Sequence, residues 1–189
     1  ESYFVERVID GDTIQIEDGQ KVRLIGINTP EKLVPFYDES KEFLRNKIEN
    51  KTIVIENYGR DKYGRILGHV FFEKDHVNKE ILSRGFGTLY YYEKDLYYDS
   101  LLNSEKFARL NENGIWKKSS KEACLELIEL RYKEFPERCS NNERLVIKNN
   151  CEEIVQFIFK DDANHIYYEI LEGKSTLDRN FSCIFNDAG

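Results

Sequence analysis

Hydrophobic residues near the start of the chain recur at alternate positions, as they do in strands with one buried face. Tyr3-Phe4-Val5 leads into Val8-Ile9, and Thr13-Ile14-Gln15-Ile16 alternates with period two. Glu17-Asp18-Gly19-Gln20 follows, and its Asp-Gly pair favours a tight hairpin turn. The next apolar run, Val22 to Ile27, predicts one strand, stopped by Thr29-Pro30-Glu31. From Tyr37 to Ile48 the period changes to that of a helix, through Phe43, Leu44 and Ile48. Strands are predicted at Thr52 to Glu56 and Ile66 to Phe72, flanking the loop Tyr58 to Arg65. A short helix over Val77 to Arg84, stopped by Gly85, precedes a strand over Thr88 to Tyr92. A long helix over Tyr97 to Asn113 ends at Gly114.

Strands with helices inserted and appended suit a small OB-type barrel. The pattern changes after Trp116. Lys117-Lys118-Ser119-Ser120 forms a junction, and Lys121 to Phe135 has helical character. Short strands then follow at Leu145 to Ile147, Ile154 to Phe159, His165 to Leu171 and Phe181 to Phe185. The expected architecture is α+β and mostly β: an OB-fold five-stranded barrel with three helices over residues 1–118, a connecting helix over 119–136, and a smaller all-β, sandwich-like module over 137–189.

Charge narrows the function classes. The net charge is −7, whereas proteins that coat nucleic acid draw their affinity from an excess of Lys and Arg. The excess is uneven: residues 1–118 hold 19 Lys and Arg against 21 Asp and Glu, and residues 119–189 hold 9 against 14. Tight non-specific coating of DNA is therefore excluded, while a local cationic pocket for one phosphate is allowed. No run of eighteen apolar residues predicts a membrane-spanning helix. The chain begins at Glu1 and contains no methionine, which suits a trimmed or mature fragment; a removed export signal is allowed but none is visible. Cys124, Cys139, Cys151 and Cys183 show no zinc-type CxxC spacing. Their even number allows two disulfides; small apolar core residues are the equal alternative.

Four motifs carry the candidate chemistry. Asp10-Gly11-Asp12 sets two carboxylates at a strand entry, a donor type that hard cations take, although a solvated turn has the same residues. Arg23 sits within an apolar strand, where a guanidinium needs a partner carboxylate or a phosphate. Asn28-Thr29-Pro30-Glu31 supplies an amide oxygen, a hydroxyl and a carboxylate where that strand ends. Asp61-Lys62-Tyr63-Gly64-Arg65 adds a second arginine after a turn. Val77 to Gly85 carries no chemistry and packs. Together they provide what phosphodiester hydrolysis needs: neutralised charge, a transition-state clamp and an activated water.

In this order and at these separations, the motifs resemble the thermonuclease family founded on staphylococcal nuclease, over about residues 3–117. The resemblance implies that Asp12 is a calcium ligand, with Asp10 a nearby carboxylate, and that Thr29 gives its backbone carbonyl to the metal. It implies that Arg23 and Arg65 clamp the phosphate, that Glu31 is the general base, and that Lys62, Tyr63 and Tyr91 border the bound nucleotide. Asn28 departs from the family, whose founding member has an aspartate as second metal ligand. Weaker calcium binding, or a preference for another divalent metal, follows from that loss of charge. The implied activity is a calcium-dependent endonuclease acting on DNA and RNA with little sequence preference and leaving 3′-phosphates. The alternative is a non-catalytic adaptor of the same fold. In the second half, Asn142 to Asn149, Phe159 to Tyr167 and Cys183 to Gly189 resemble a lamin-tail-type, immunoglobulin-like domain, with Asn186 to Gly189 as a turn before absent last strands. That resemblance implies a module that binds a protein or surface partner, in an extracellular or cell-envelope protein, with His165 a packing residue rather than a ligand.

Overall fold

A computed structural model describes residues 1–91, 93–131, 143–160 and 166–181, with backbone alone at 143, 158–160, 166–168, 180 and 181. The chain forms two compact units, Glu1–Lys117 and Lys118–Gly189. In the first unit the elements run β1 (Ser2–Val8), β2 (Thr13–Ile16), β3 (Lys21–Leu24), β4 (Gly26–Asn28), α1 (Tyr37–Ile48), β5 (Thr52–Arg60) and β6 (Ile66–Phe72). They continue with β7 (Asp75–His76), α2 (Val77–Ser83), β8 (Thr88–Tyr90) and α3 (Tyr98–Leu110).

β2 pairs antiparallel with β1 and β3, β1 also pairs with β5, and β5 pairs with β6. β6 then returns to β3 in parallel, with Val22 opposite Ile66, and this closes a five-stranded barrel. The alternation in the sequence becomes its interior: Val5, Val8, Ile14, Ile16, Val22, Leu24, Ile53, Ile55, Ile66 and Val70 are all buried. The predicted single strand from Val22 to Ile27 is two strands. Gly26 adopts φ +75°, and a Cβ there would come within 2.7 Å of Leu101 and Tyr91. Only glycine makes that bend without strain. It sends β4 away from the barrel wall to pair with β8.

The helices bury the faces their spacing predicts: Ser40, Leu44 and Ile48 on α1, Val77, Asn78, Ile81 and Leu82 on α2, Leu101, Ser104, Glu105 and Ala108 on α3. Buried polar groups are used. Asn78 accepts from Val70 N at 2.9 Å and donates to Ile25 O at 2.8 Å. Glu105 accepts from Leu89 N at 2.9 Å, which ties α3 to β8.

Between β6, β7 and the start of α3 lies a histidine pair, His69 fully buried and His76 partly so. His69 Nε2 is 2.7 Å from Asp95 Oδ2, and His76 Nε2 is 3.1 Å from His69 Nδ1. Burial pushes His69 below the ordinary range despite Asp95, and burial with the adjacent His69 pushes His76 down to about 4. The unfolded chain therefore takes up these protons near pH 6.5, where the folded chain refuses them. As pH falls from about 6.5 towards 4, unfolding binds protons and is favoured. We expect these two histidines to cost the first unit about 2 kcal/mol over that window, a figure reduced from the full shift because His76 is partly exposed. The loss is read in the Asp10→Asn variant, because the raised Asp10 carboxyl takes up its proton in the folded chain over the same window and works the other way. Denaturant melts at pH 7 and pH 4.5 with unchanged midpoints would contradict this.

The second unit contains β9 (Leu125–Arg131), β10 (Glu143–Asn149), β11 (Val155–Lys160), β12 (Ile166–Leu171) and β13 (Thr176–Phe181). β10 lies between β13 and β9 in a three-stranded antiparallel sheet, and β11 pairs with β12. The helix expected over Lys121 to Phe135 is corrected here. A 3-10 turn occupies Glu122–Cys124 and residues 125–131 are strand β9, while 132–135 lie outside the described residues. Leu and Glu favour helix locally. Pairing with β10 overrides them, reinforced by a disulfide from Cys124 to Cys151 that pins the start of β9 beside the end of β10. β13 escaped the sequence pattern because it is polar; Arg144 of β10 pairs across to Asp178 at 2.6 Å. Buried Asn149 donates to Glu153 O at 2.7 Å and Glu172 O at 3.0 Å, joining the sheet to the β11–β12 hairpin. Tyr92, Cys139, His165, Cys183 and Asn186 to Gly189 lie outside the described residues.

Candidate active site

The site is assembled at the barrel rim, where β1 passes into β2 and where β3 and β4 end. Asp10 Oδ1 accepts the Asp12 backbone N–H at 3.1 Å, the short-range bond that makes Asx turns tight. Gly11 between them is fixed by crowding. A Cβ there would lie 2.1 Å from Ser40 Oγ of α1 and 2.7 Å from Thr29 Oγ1.

Asp12 is 7% exposed and its carboxylate is fully engaged. Oδ1 accepts the Thr13 hydroxyl at 3.1 Å, and Oδ2 accepts both the backbone N–H and the hydroxyl of Thr29 at 3.0 Å. Arg23 Nη2 stands 3.1 Å from the same oxygen. Arg23 also donates to Leu24 O, to Ile27 O at 3.0 Å and to Asn28 Oδ1 at 3.2 Å. Two of those acceptors are backbone carbonyls, so the guanidinium is held in place independently of the carboxylate. Asp10, Asp12, Arg23, Asn28 and Thr29, scattered over twenty positions, thus form one connected group.

The other candidates stand outside it. Glu31, two residues beyond Thr29, is exposed, and its carboxylate makes no hydrogen bond or ion pair among the described residues. Arg65 enters β6 one residue before Ile66, which faces Val22 of β3. Its Nε donates to Asp61 Oδ2 at 2.7 Å. Asp61 Oδ1 in turn accepts the backbone N–H groups of Tyr63 at 2.9 Å and Arg65 at 3.0 Å. Burial pushes the Asp61 carboxyl up, but the Arg65 bonds outweigh it and hold it below the usual range. Lys62 and Tyr63 are exposed on that turn, with Lys62 Nζ 5.5 Å from the Tyr63 ring centroid and the Arg65 guanidinium 5.6 Å from it. Tyr91 follows β8, half-buried, with its hydroxyl on Asp95. Glu31, Tyr63, Arg65 and Tyr91 share no hydrogen bond or ion pair with the Asp12 group.

Three contributors lack a role in the sequence motifs: Thr13, Asp61 and Ser40. Asp61 lies four residues before Arg65, an acid–base spacing visible in the sequence. Thr13 follows Asp12 directly but has no distinguishing pattern. Ser40 has no signal at all: it is an ordinary helix position whose fully buried hydroxyl, without a hydrogen-bond partner, touches the Gly11 turn through space.

Burial and the charge of Asp12 push the Asp10 carboxyl up to about 6. Two carboxylates that repel each other at close range are stabilised by a cation between them. Among the described residues no three His, Cys, Asp or Glu side chains are grouped to hold a metal ion. The oxygen set on the rim, two carboxylates with the Asn28 amide and the Thr29 carbonyl, nonetheless has the chemistry of a hard-cation site and contains no soft ligand.

A family model for staphylococcal nuclease homologues matches residues 21–118, a stretch that includes Arg23, Asn28, Glu31 and Arg65. The chain belongs to the staphylococcal nuclease homologue family. The thermonuclease of Staphylococcus intermedius is 35% identical over 131 residues, covering 62% of this chain and 77% of that protein. An uncharacterised endonuclease of Escherichia coli is 34% identical over 117 residues, covering 59% of this chain and 74% of its own length. The thermonuclease of Staphylococcus hyicus is 30% identical over 128 residues, covering 61% and 76%. The closed barrel with its three helices is the staphylococcal nuclease-like OB fold.

Proposed function

We propose that this chain is a metal-dependent nuclease that hydrolyses phosphodiester bonds in DNA, with RNA as a second substrate and little sequence preference. The observation that carries the reading is the connected Asp12–Arg23–Asn28–Thr29 group, with the Glu31 carboxylate, exposed and without a partner among the described residues, two positions beyond it. Its membership of a family whose similar members are named thermonuclease and endonuclease supports it.

Asp12, with Asp10, Asn28 Oδ1 and the Thr29 carbonyl, would hold a calcium ion. A cation bound there would supply charge neutralisation to a phosphate oxygen. Arg23 and Arg65 clamp the other phosphate oxygens, since a planar fork fits them better than an ammonium does. Glu31 takes a proton from the attacking water. The water oxygen bonds to phosphorus, the bond to the 5′ oxygen breaks, that oxygen takes a proton from solvent water to leave as a hydroxyl, and a 3′-phosphate remains. Lys62, Tyr63 and Tyr91 border the nucleotide. The second unit is a binding or tethering module of the lamin-tail type for a protein or surface partner. The Cys124–Cys151 disulfide supports an extracellular or cell-envelope location, because such bonds persist in oxidising compartments.

Incubation with single-stranded DNA and with RNA, with calcium and with chelator, tests the reading. We expect calcium-dependent cleavage, and about tenfold less calcium needed for half-maximal rate in Asn28→Asp, which restores a charge beside Arg23. No cleavage with any divalent metal would sink the nuclease reading. A saturable complex without turnover would favour the adaptor that the net charge of −7 suggests.

A further inference from the structure

A second connected polar network of the first unit centres on Asp95, which the proposed hydrolysis does not use. Asp95, in the loop between β8 and α3, receives three donors: His69 Nε2 at 2.7 Å on one oxygen, and the Tyr91 hydroxyl and Tyr97 N, both at 2.8 Å, on the other. Burial alone would raise its carboxyl. The bonds from His69 and Tyr91 hold it below the usual range, so it is an anion in the folded protein at neutral pH. Because a carboxylate only accepts, His69 must donate from Nε2; its Nδ1 is then an acceptor, and His76 donates to it at 3.1 Å. A directed chain results, from His76 to His69 to Asp95, with the Tyr91 hydroxyl arriving at Asp95 from the opposite end.

His69 is fully buried on β6 and boxed in by rings. Tyr97 stands 4.5 Å away, His76 4.9 Å and Tyr58 5.3 Å. This end of the chain cannot swing. At the other end the Tyr91 ring fills the space left by the missing side chain of Gly26, where a Cβ would lie 2.7 Å from it, and meets the Tyr98 ring edge-on at 5.3 Å. Gly26 begins β4, the strand that carries Asn28 into the proposed site. A half-buried tyrosine packed against the first residue of that strand is thus fixed at both its ring and its hydroxyl.

We propose that Asp95, oriented by His69 and His76, is a positioning residue that locks Tyr91 as a preformed platform on which a base of single-stranded nucleic acid stacks. The inference rests on the nuclease reading for the identity of the substrate. Stacking affinity gains when the ring needs no ordering on binding, because the entropy of fixing it has already been lost in folding. Asp95 also receives the Tyr97 N–H where α3 begins, so a purely structural role is the competing account. That role would lower stability without touching substrate affinity.

The test uses the full chain. For cleavage of a single-stranded oligonucleotide with calcium, Asp95→Ala is expected to raise KM about tenfold with kcat within about twofold of wild type. Asp95→Asn, which keeps an oxygen acceptor, is expected to recover most of the loss. Tyr91→Phe removes only the hydroxyl and is expected to raise KM several-fold. Combined with Asp95→Ala it should add nothing, because both changes release the same ring. The dissociation constant for labelled oligothymidylate in chelator should follow the same ratios, which separates this proposal from the chemistry. A chain that binds but does not cleave ends the nuclease reading and leaves the platform to be judged on affinity. Asp95→Ala that lowers the melting temperature but leaves KM and affinity within twofold overturns the proposal, as does an additive double variant. Should Asp95→Ala fail to fold, an unchanged KM and affinity in Tyr91→Phe overturns it equally.

Discussion

Glu31→Gln is expected to lower kcat on single-stranded DNA by about 10²–10⁴-fold, the range supplied by a positioned general base. The protein should fold as before. Glu31 is exposed and makes no hydrogen bond or ion pair among the described residues, and changes at such positions cost at most about 0.5 kcal/mol. The amide keeps the shape of the side chain and removes only its basicity, so KM should move little. Arg65→Ala is the companion variant, with an expected loss of about 10²–10³-fold, since one preorganised donor at a developing charge contributes that much. Its cost to stability is small. Asp61 keeps its bonds to the backbone of Tyr63 and Arg65, so the turn survives, and the lost pair is partly exposed. Steady-state rates with calcium, beside melting temperatures of the same preparations, check both. A Glu31→Gln protein within threefold of the wild-type rate would remove Glu31 from the chemistry.

How far the sequence anticipates this site depends on where each partner lies along the chain. Helix α1 over Tyr37–Ile48 is legible residue by residue, because its buried face recurs every four positions. The Asp12, Arg23, Asn28 and Thr29 group is legible because its members are motif residues on or directly beside β2, β3 and β4. Asp95 is not. Its partner His69 is 26 residues away on β6, and only the fold of the loop from β8 to α3 brings the two together. Nor does the sequence reveal that Arg23 is fixed by the Leu24 and Ile27 carbonyls, since backbone acceptors leave no residue signature. The bend at Ile25–Gly26 is hidden within an apolar run that reads as one strand. It becomes necessary only because Tyr91 and Leu101 crowd Gly26. β9 fails for a different reason. Its Leu-Glu-Leu-Ile-Glu-Leu segment prefers helix in isolation, and pairing with β10 decides otherwise.

That conflict sets the second large effect. A segment with helical preference held as a sheet edge needs a constraint, and the Cys124–Cys151 bond supplies it. Cys124 begins the turn into β9, and its carbonyl accepts from Asn150 N at 2.7 Å, so the bond fastens β9 to the end of β10. The described residues of the second unit bury few large apolar side chains: Leu145, Val146, Val155 and Leu171, beside Cys124 itself. Small units with so limited a core lean on cross-links. The two cysteines are separated by 27 positions, and closing a loop of that length stabilises the fold by about 3–4 kcal/mol in the chain-entropy account. The double variant Cys124→Ser/Cys151→Ser avoids leaving a thiol free to pair elsewhere. It is expected to lose most of the second unit's stability, so that this unit melts tens of degrees earlier or not cooperatively at all. The first unit contributes no residue to that bond, has its own core from Val5 to Leu101, and should keep its melting transition and its cleavage rate within about twofold. Calorimetry of the oxidised wild type against the double variant separates the two transitions. A second-unit transition shifted by only a degree or two would mean that strand pairing alone holds β9 against its helical preference.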